Sequence, residues 1–143
     1  MYEDILLPTD GSSGTVEALE HALAIAAGRD ARLHALYVVD GRLHRAADDD
    51  TKPEVRRSLE EEGDRALDDV RVRTEDAGVE CLTERREGIP HRTITGYAAD
   101  ASVDLVVMGT HGKTGPERMV NLGSTTERVV KNADLPVLVV DID

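Results

Sequence analysis

After the apolar run VDLVVM, the chain reads GTHGKTGPERMVNLGSTTE from Gly109 to Glu127, with glycines at 109, 112, 115 and 123, His111 and Lys113 between them, and hydroxyls following. Two features of this stretch suit an anion. Glycine lets the backbone approach an oxyanion closely, and a helix starting at Ser124 would present N–H groups without intrahelical acceptors and with partial positive charge. Phosphate is the chemistry that Gly109, Gly112, Gly123 and Ser124 could serve at this spacing. The same residues allow a plainer reading, in which Gly109 and Gly112 only make a tight turn and Ser124 only caps a helix. His111 and Lys113 could approach a phosphate or simply be solvated.

Two familiar phosphate loops are excluded. GKT at 112–114 resembles part of a Walker A motif, but the glycine that motif needs at position 107 is Val107. DGSSG at 10–14 supplies Gly11 and Gly14 without the first GxG step of a dinucleotide fingerprint. Histidines 21, 34, 44, 91 and 111 show no zinc-site spacing, so no metal ligand is assigned. No nucleophile motif of the GxSxG type occurs. Cys81 falls in an apolar strand pattern and reads as inert core.

The elements that must position these residues follow from hydrophobic periodicity. Strands are expected at 4–8, 33–39, 79–84, 103–108 and 136–141, and continuous runs such as LVVM imply burial on both faces. Helices are expected at 13–28, with Val16, Leu19, Leu23 and Ala26 inward, at 53–77, at 90–100 with Ile94, Tyr97 and Ala98 inward, and from Ser124. STTE at 124–127 reads as a capping box, and EEEGD at 60–64 as a solvated face. Residues 40–52, DGRLHRAADDDTK, form the longest polar connection and are expected to be disordered. Alternating strands and helices mean an α/β fold, a single domain over 1–143 built on an open parallel sheet with helices on both faces. In such sheets ligands sit beyond the carboxyl ends of strands where the strand order reverses. That directs attention to PTDGSSG after the first strand and to the glycine loop after the fourth.

Composition narrows the partners. With 29 acidic against 17 basic residues, only three of them lysine, the net charge is −12. Nucleic acid and anionic membranes are excluded as partners, because both need a basic footprint. An acidic, lysine-poor chain without Phe or Trp is also what a cytoplasm kept at molar salt favours, so the chain reads as halophilic. One cysteine and no apolar stretch of membrane length point to a soluble cytoplasmic protein. The apolar edge PVLVVDI at 136–142 is expected to template pairing with a second copy.

PTDGS, YVVD, EGIPHRTITGYAAD, VDLVVMGTHGKTG and GSTTERVVKNADLPVLVV, in this order over most of the chain, resemble the universal stress protein family. The resemblance implies a Rossmann-like, five-stranded parallel sheet of order 3-2-1-4-5, a homodimer and, in one branch, an ATP site built on a Gly-x2-Gly-x9-Gly-Ser/Thr pattern. The chain resembles that ATP-binding branch, with ten residues rather than nine between Gly112 and Gly123. Carried over residue by residue, the nucleotide site comprises Pro8 and Thr9 as the pocket floor, Asp10 toward the ribose, Val38 against the adenine through its backbone, and Gly109, Gly112, Gly123, Ser124 and Thr125 around the phosphates. Asp10 alternatively caps the first helix. Mg²⁺ could accompany ATP, held mainly by phosphate oxygens and water. The family reading is a nucleotide-dependent stress-response or signalling module with weak ATP hydrolysis at most. The alternative is a slow ATP hydrolase or nucleotide-processing enzyme.

Overall fold

The computed structural model describes residues 1–41, 50–110 and 123–142. Strands and helices alternate as β1 (Asp4–Pro8), α1 (Ser13–Ala26), β2 (Arg32–Asp40), α2 (Lys52–Asp76), β3 (Glu80–Gly88), α3 (Pro90–Asp100), β4 (Leu105–Gly109), α4 (Ser124–Asn132) and β5 (Val137–Val140). The five strands are parallel in the order β3-β2-β1-β4-β5, as the resemblance implied. The chain winds outward from β1 through β2 to β3, then returns to the other side of β1 as β4. The order therefore reverses between β1 and β4. Their ladder holds only two residue pairs, Ile5 with Leu105 and Leu6 with Val106, so the strands part toward their carboxyl ends.

Strand alternation builds two cores. Ile5, Leu7, Leu33, Ala35, Leu105 and Val107 pack with Ala18, Leu19 and Ala22 of α1 and with Leu67 and Val70 of α2. Leu6, Leu36, Val106 and Met108 point to the other face, against Ile94, Tyr97 and Ala98 of α3 and Val129 of α4. Each fully buried aliphatic side chain contributes roughly 1.5–3 kcal/mol relative to exposure. Burial of β1 and β4 on both faces explains their unbroken apolar runs.

The amino end of the sheet is fastened by polar side chains. The Asp104 carboxylate accepts the N–H groups of Glu3 and Asp4 at 2.8 and 2.9 Å, and the Asp104 N–H donates to the Asp4 carbonyl at 2.8 Å. Asp4 Oδ1 lies 2.9 Å from Nε2 of buried His34, whose Nδ1 is 2.7 Å from the Tyr97 hydroxyl. Arg32 closes on the same Asp4 oxygen at 2.8 Å.

Several local expectations are corrected. β3 runs on through Glu84–Gly88 because an edge strand needs only backbone partners on β2, and its charged side chains can stand in solvent. There Arg85 pairs with Asp64 at 2.6 Å and with Glu60 at 3.4 Å, and Arg86 pairs with Glu84 and lies 4.8 Å from the Tyr97 ring centre. α1 buries Gly14, Ala18, Leu19, Ala22 and Ala26, a stripe rotated from the expected one, with Val16 and Leu23 at its margins. In α2 the EEEGD stretch is not wholly solvated, because Gly63 is buried. The capping box is absent: Gly123 is the N-cap of α4, which puts Ser124 inside the helix and out of the capping register, and Glu127 pairs with Lys131 at 2.8 Å. Cys81 is half-buried on β3, and burial pushes its thiol above the usual range. Most of the connection expected to be disordered, residues 42–49, lies outside the described residues, as do His111, Gly112, Lys113 and the rest of the loop to 122.

Candidate functional site

A cavity of about 440 Å³ opens where β1 and β4 part. Its size falls in the range of roughly 300–1,000 Å³ typical of small-molecule sites. Pro8, Thr9 and Asp10 enter it from the end of β1, Val38 from β2, Gly109 from β4, and Gly123, Ser124 and Thr125 from the start of α4. Every candidate named from the sequence that falls among the described residues therefore meets in one cavity. Gly112 lies outside them.

The β1 side is shaped by its turn. The Thr9 N–H bonds the Leu36 carbonyl at 2.9 Å, tying the turn to β2, and its side-chain oxygen accepts the Gly11 N–H at 3.1 Å. Gly11 has φ +80°, a left-handed backbone that glycine adopts without strain. Asp10 Oδ1 accepts the Ser12 N–H at 2.9 Å, which folds the chain into α1. Ser12, not Asp10, is the N-cap position of that helix. Asp10 thus both organises the turn and lines the cavity.

The α4 side is fixed by β4. The Gly123 N–H donates to the Thr110 carbonyl at 2.7 Å, and the hydroxyl of buried Thr126 donates to the Gly109 carbonyl at 2.9 Å. These bonds engage two carbonyl oxygens whose partial negative charge would otherwise oppose an anion. The next N–H groups of the first turn have no acceptor within their own helix, by the geometry of every α-helix. Gly123 is the N-cap of α4, so Ser124 stands at the first helical position, where it lines the cavity. A phosphate-sized anion is the ligand that such an end accepts best.

Opposite walls differ in character. Val38, Pro90, Ile94 and Met108 form an apolar side on the α3 face. Tyr37, Leu59 and Glu62 form the side toward α2. The Tyr37 ring is buried and rests directly on the α2 backbone, where a Cβ built on Gly63 would lie 2.6 Å from its Cδ1. Burial, then the nearby Asp10 charge, raise the Tyr37 phenol above its ordinary value, so it is a neutral donor at neutral pH. No group of three or more His, Cys, Asp or Glu placed to hold a metal ion occurs among the described residues.

Sequence reasoning missed Tyr37, Thr126 and Ile142 as wall residues. For Tyr37 a signal existed. A glycine inside a long helix is costly enough to demand a packing reason, and Gly63 marks the spot. Thr126 and Ile142 are set by tertiary contacts alone.

The chain matches the Universal stress protein family over residues 1–141. It is 45% identical over 141 residues to universal stress protein MJ0531 of Methanocaldococcus jannaschii, covering 98% of this chain and 82% of that protein. The solved structure of MJ0577 superposes with a TM-score of 0.90 at 35% identity, covering 100% of this chain and 98% of that one. MJ0577 is a protein of the same organism. A universal stress protein family protein from Arabidopsis thaliana, solved with AMP bound, shares the fold at a TM-score of 0.73 and 18% identity, over 98% of this chain and 92% of that one. Among the described residues no helix is long and apolar enough to cross a membrane.

Proposed function

We propose that this chain, which belongs to the universal stress protein family, binds ATP in the cavity between β1 and β4 and works as a nucleotide-dependent stress-response or signalling module. The observation that carries the reading is the meeting of the β1 turn, the apolar α3 wall and the amino end of α4 around one cavity. Adenine would lie on the apolar side along Val38, the ribose would reach Asp10, and the phosphates would lie at Gly109, Gly112, Gly123, Ser124 and Thr125. Pro8 and Thr9 form the floor. With Gly123 at the N-cap, the plainer reading of Ser124 as the helix cap does not hold. AMP bound in a protein of the same fold is consistent with an adenine nucleotide.

ATP brings several negative charges to a cavity whose wall already carries Asp10, Asp40 and Glu62. Mg²⁺, held mainly by phosphate oxygens and water, would offset part of that repulsion. Fast phosphoryl transfer needs an oriented nucleophile and strong neutralisation at the γ-phosphate. The start of α4 offers N–H groups and hydroxyls, and Asp10 is engaged in its own turn. Turnover is therefore slow, and the bound nucleotide acts through conformation or partner affinity.

The two edges of the sheet support a homodimer through β5. β3 carries charged, ion-paired side chains that blunt an edge, whereas β5 is Val137-Leu138-Val139-Val140, with no charge in the strand. The test is to identify by mass spectrometry the nucleotide that co-purifies with the protein, then to titrate ATP and GTP by calorimetry. ATP bound in preference to GTP supports the reading. Failure to bind any adenine nucleotide overturns it.

A further inference from the structure

We propose that Thr110 is a positioning residue for the cavity: it ties the first turn of α4, and the wall residue Ile142, to the carboxyl end of β5. The inference rests on the nucleotide reading above. Thr110 directly follows β4, and three segments converge on it. Its N–H donates to the Val140 carbonyl at 2.9 Å, its carbonyl accepts the Gly123 N–H at 2.7 Å, and its Oγ1 accepts the Ile142 N–H at 3.2 Å.

Each of these bonds has a consequence at the cavity. Gly123 is the N-cap of α4, so the Thr110 carbonyl fixes where the helix N–H groups sit. Donors at a binding site must be held to about 0.5 Å to be effective. Ile142 lies beyond the last strand yet lines the cavity and is 9% exposed. Its side chain rests on Gly14 in the first turn of α1, where any Cβ would come within 2.5 Å of Ile142 Cδ1. Thr110 Oγ1 holds the backbone of that residue, so loss of the oxygen frees both the wall and the turn that carries it. The three bonds run to β5, to the start of α4 and to Ile142, whereas the apolar side at Val38, Pro90 and Ile94 belongs to β2 and α3.

The side-chain oxygen reaches Ile142 while the tie to Gly123 is made by the backbone carbonyl, so variants without the oxygen test the Ile142 tie. ATP, which would extend across the cavity to α4, should feel its loss, and adenosine, which would stop at the apolar side and Asp10, should not. The experiment measures ATP and adenosine affinity by calorimetry in Thr110→Val and Thr110→Ala, which lack the oxygen, and in Thr110→Ser, which keeps it. Amide exchange at Ile142 is followed in the same proteins. Loss of one hydrogen bond predicts about three- to tenfold weaker ATP binding in Thr110→Val and Thr110→Ala. Adenosine affinity should be unchanged, Thr110→Ser should bind ATP like the wild type, and the Ile142 amide should exchange faster in the two variants without the oxygen. The two substitutions guard each other, since the proposal stands or falls on whichever folds. Wild-type ATP affinity in them, equal weakening of ATP and adenosine, or unchanged Ile142 exchange overturns the role of Thr110. A wild type that binds neither ligand overturns the nucleotide reading itself, and this inference with it.

Discussion

Gly63→Ala separates packing from helix propensity. In an open helix interior, replacing glycine by alanine stabilises by about 1 kcal/mol. At position 63 the new Cβ would meet the Tyr37 ring, at 2.6 Å from Cδ1, 2.9 Å from Cε1 and 3.1 Å from Cγ. The ring is rigid and 6% exposed, so it must move as a unit against the α1 and α2 core or into the cavity. Overpacking of this kind costs roughly 1–3 kcal/mol, which leaves a net loss of roughly 0–2 kcal/mol after the propensity gain. Gly96 in α3 is the internal control, being exposed with no atom within 4 Å of an added Cβ. Gly96→Ala should stabilise by the full propensity term, about 1 kcal/mol. In a Tyr37→Ala background, Gly63→Ala should reverse sign and stabilise as well. The assay is equilibrium urea unfolding followed by circular dichroism at constant KCl, with the four variants and the wild type on one slope. Stabilisation of the wild type by Gly63→Ala to the same extent as by Gly96→Ala would refute the packing argument.

Gly123→Val, which places a branched side chain at the start of α4, should abolish ATP binding in calorimetry with an unchanged circular dichroism spectrum; retained affinity removes Gly123 from the phosphate set. Burial raises the Tyr37 and Tyr97 phenols in the fold, helped by Asp10 at Tyr37 and by Glu84 at Tyr97. The folded state holds those protons more tightly than the unfolded chain, whose tyrosines ionise near pH 10. Their contribution is therefore complete below about pH 10 and is lost as pH rises through the folded values, and Tyr37→Phe or Tyr97→Phe should flatten the alkaline fall of the urea midpoint. The wild type should be a dimer in light scattering at high salt and Val139→Asp, which puts a carboxylate on β5, a monomer; a monomeric wild type contradicts pairing along this edge. The −12 net charge should make the melting temperature climb between about 0.1 M and 3 M KCl, and a flat response would remove the halophilic reading.

The order of elements was legible because burial on two faces writes itself as unbroken apolar runs, as in Leu105–Met108, with helical periodicity between them. The strand order was not legible from periodicity. It came with the family resemblance, since which strand follows which across a sheet is decided by tertiary packing. Gly109, Gly123 and Ser124 were singled out by residue type and spacing, while Pro8, Thr9, Asp10, Val38 and Thr125 came with the family resemblance, and all of them line one cavity. What escaped the sequence depends on contacts between distant segments. The register of α1 was shifted because Gly14 and Ala18, too small to weigh in a hydrophobic pattern, are buried where Ile142 and the sheet press closest. The apparent capping box failed because Lys131, one turn further along, claims Glu127, and β4 holds the helix end in place of a side-chain cap.

The central pair of strands is joined by two residue pairs and fastened at one end by Asp104. Mechanically this is a wedge with its apex at the amino end. Any splaying of β1 from β4 pivots there, so displacement is smallest at Asp104 and grows along the strands toward Pro8 and Gly109. The mouth can then widen without breaking the bonds at the apex or exposing the paired residues Ile5 and Leu6. A ligand that touched Asp10 on one limb and Gly109 on the other would bridge the wedge where its leverage is greatest.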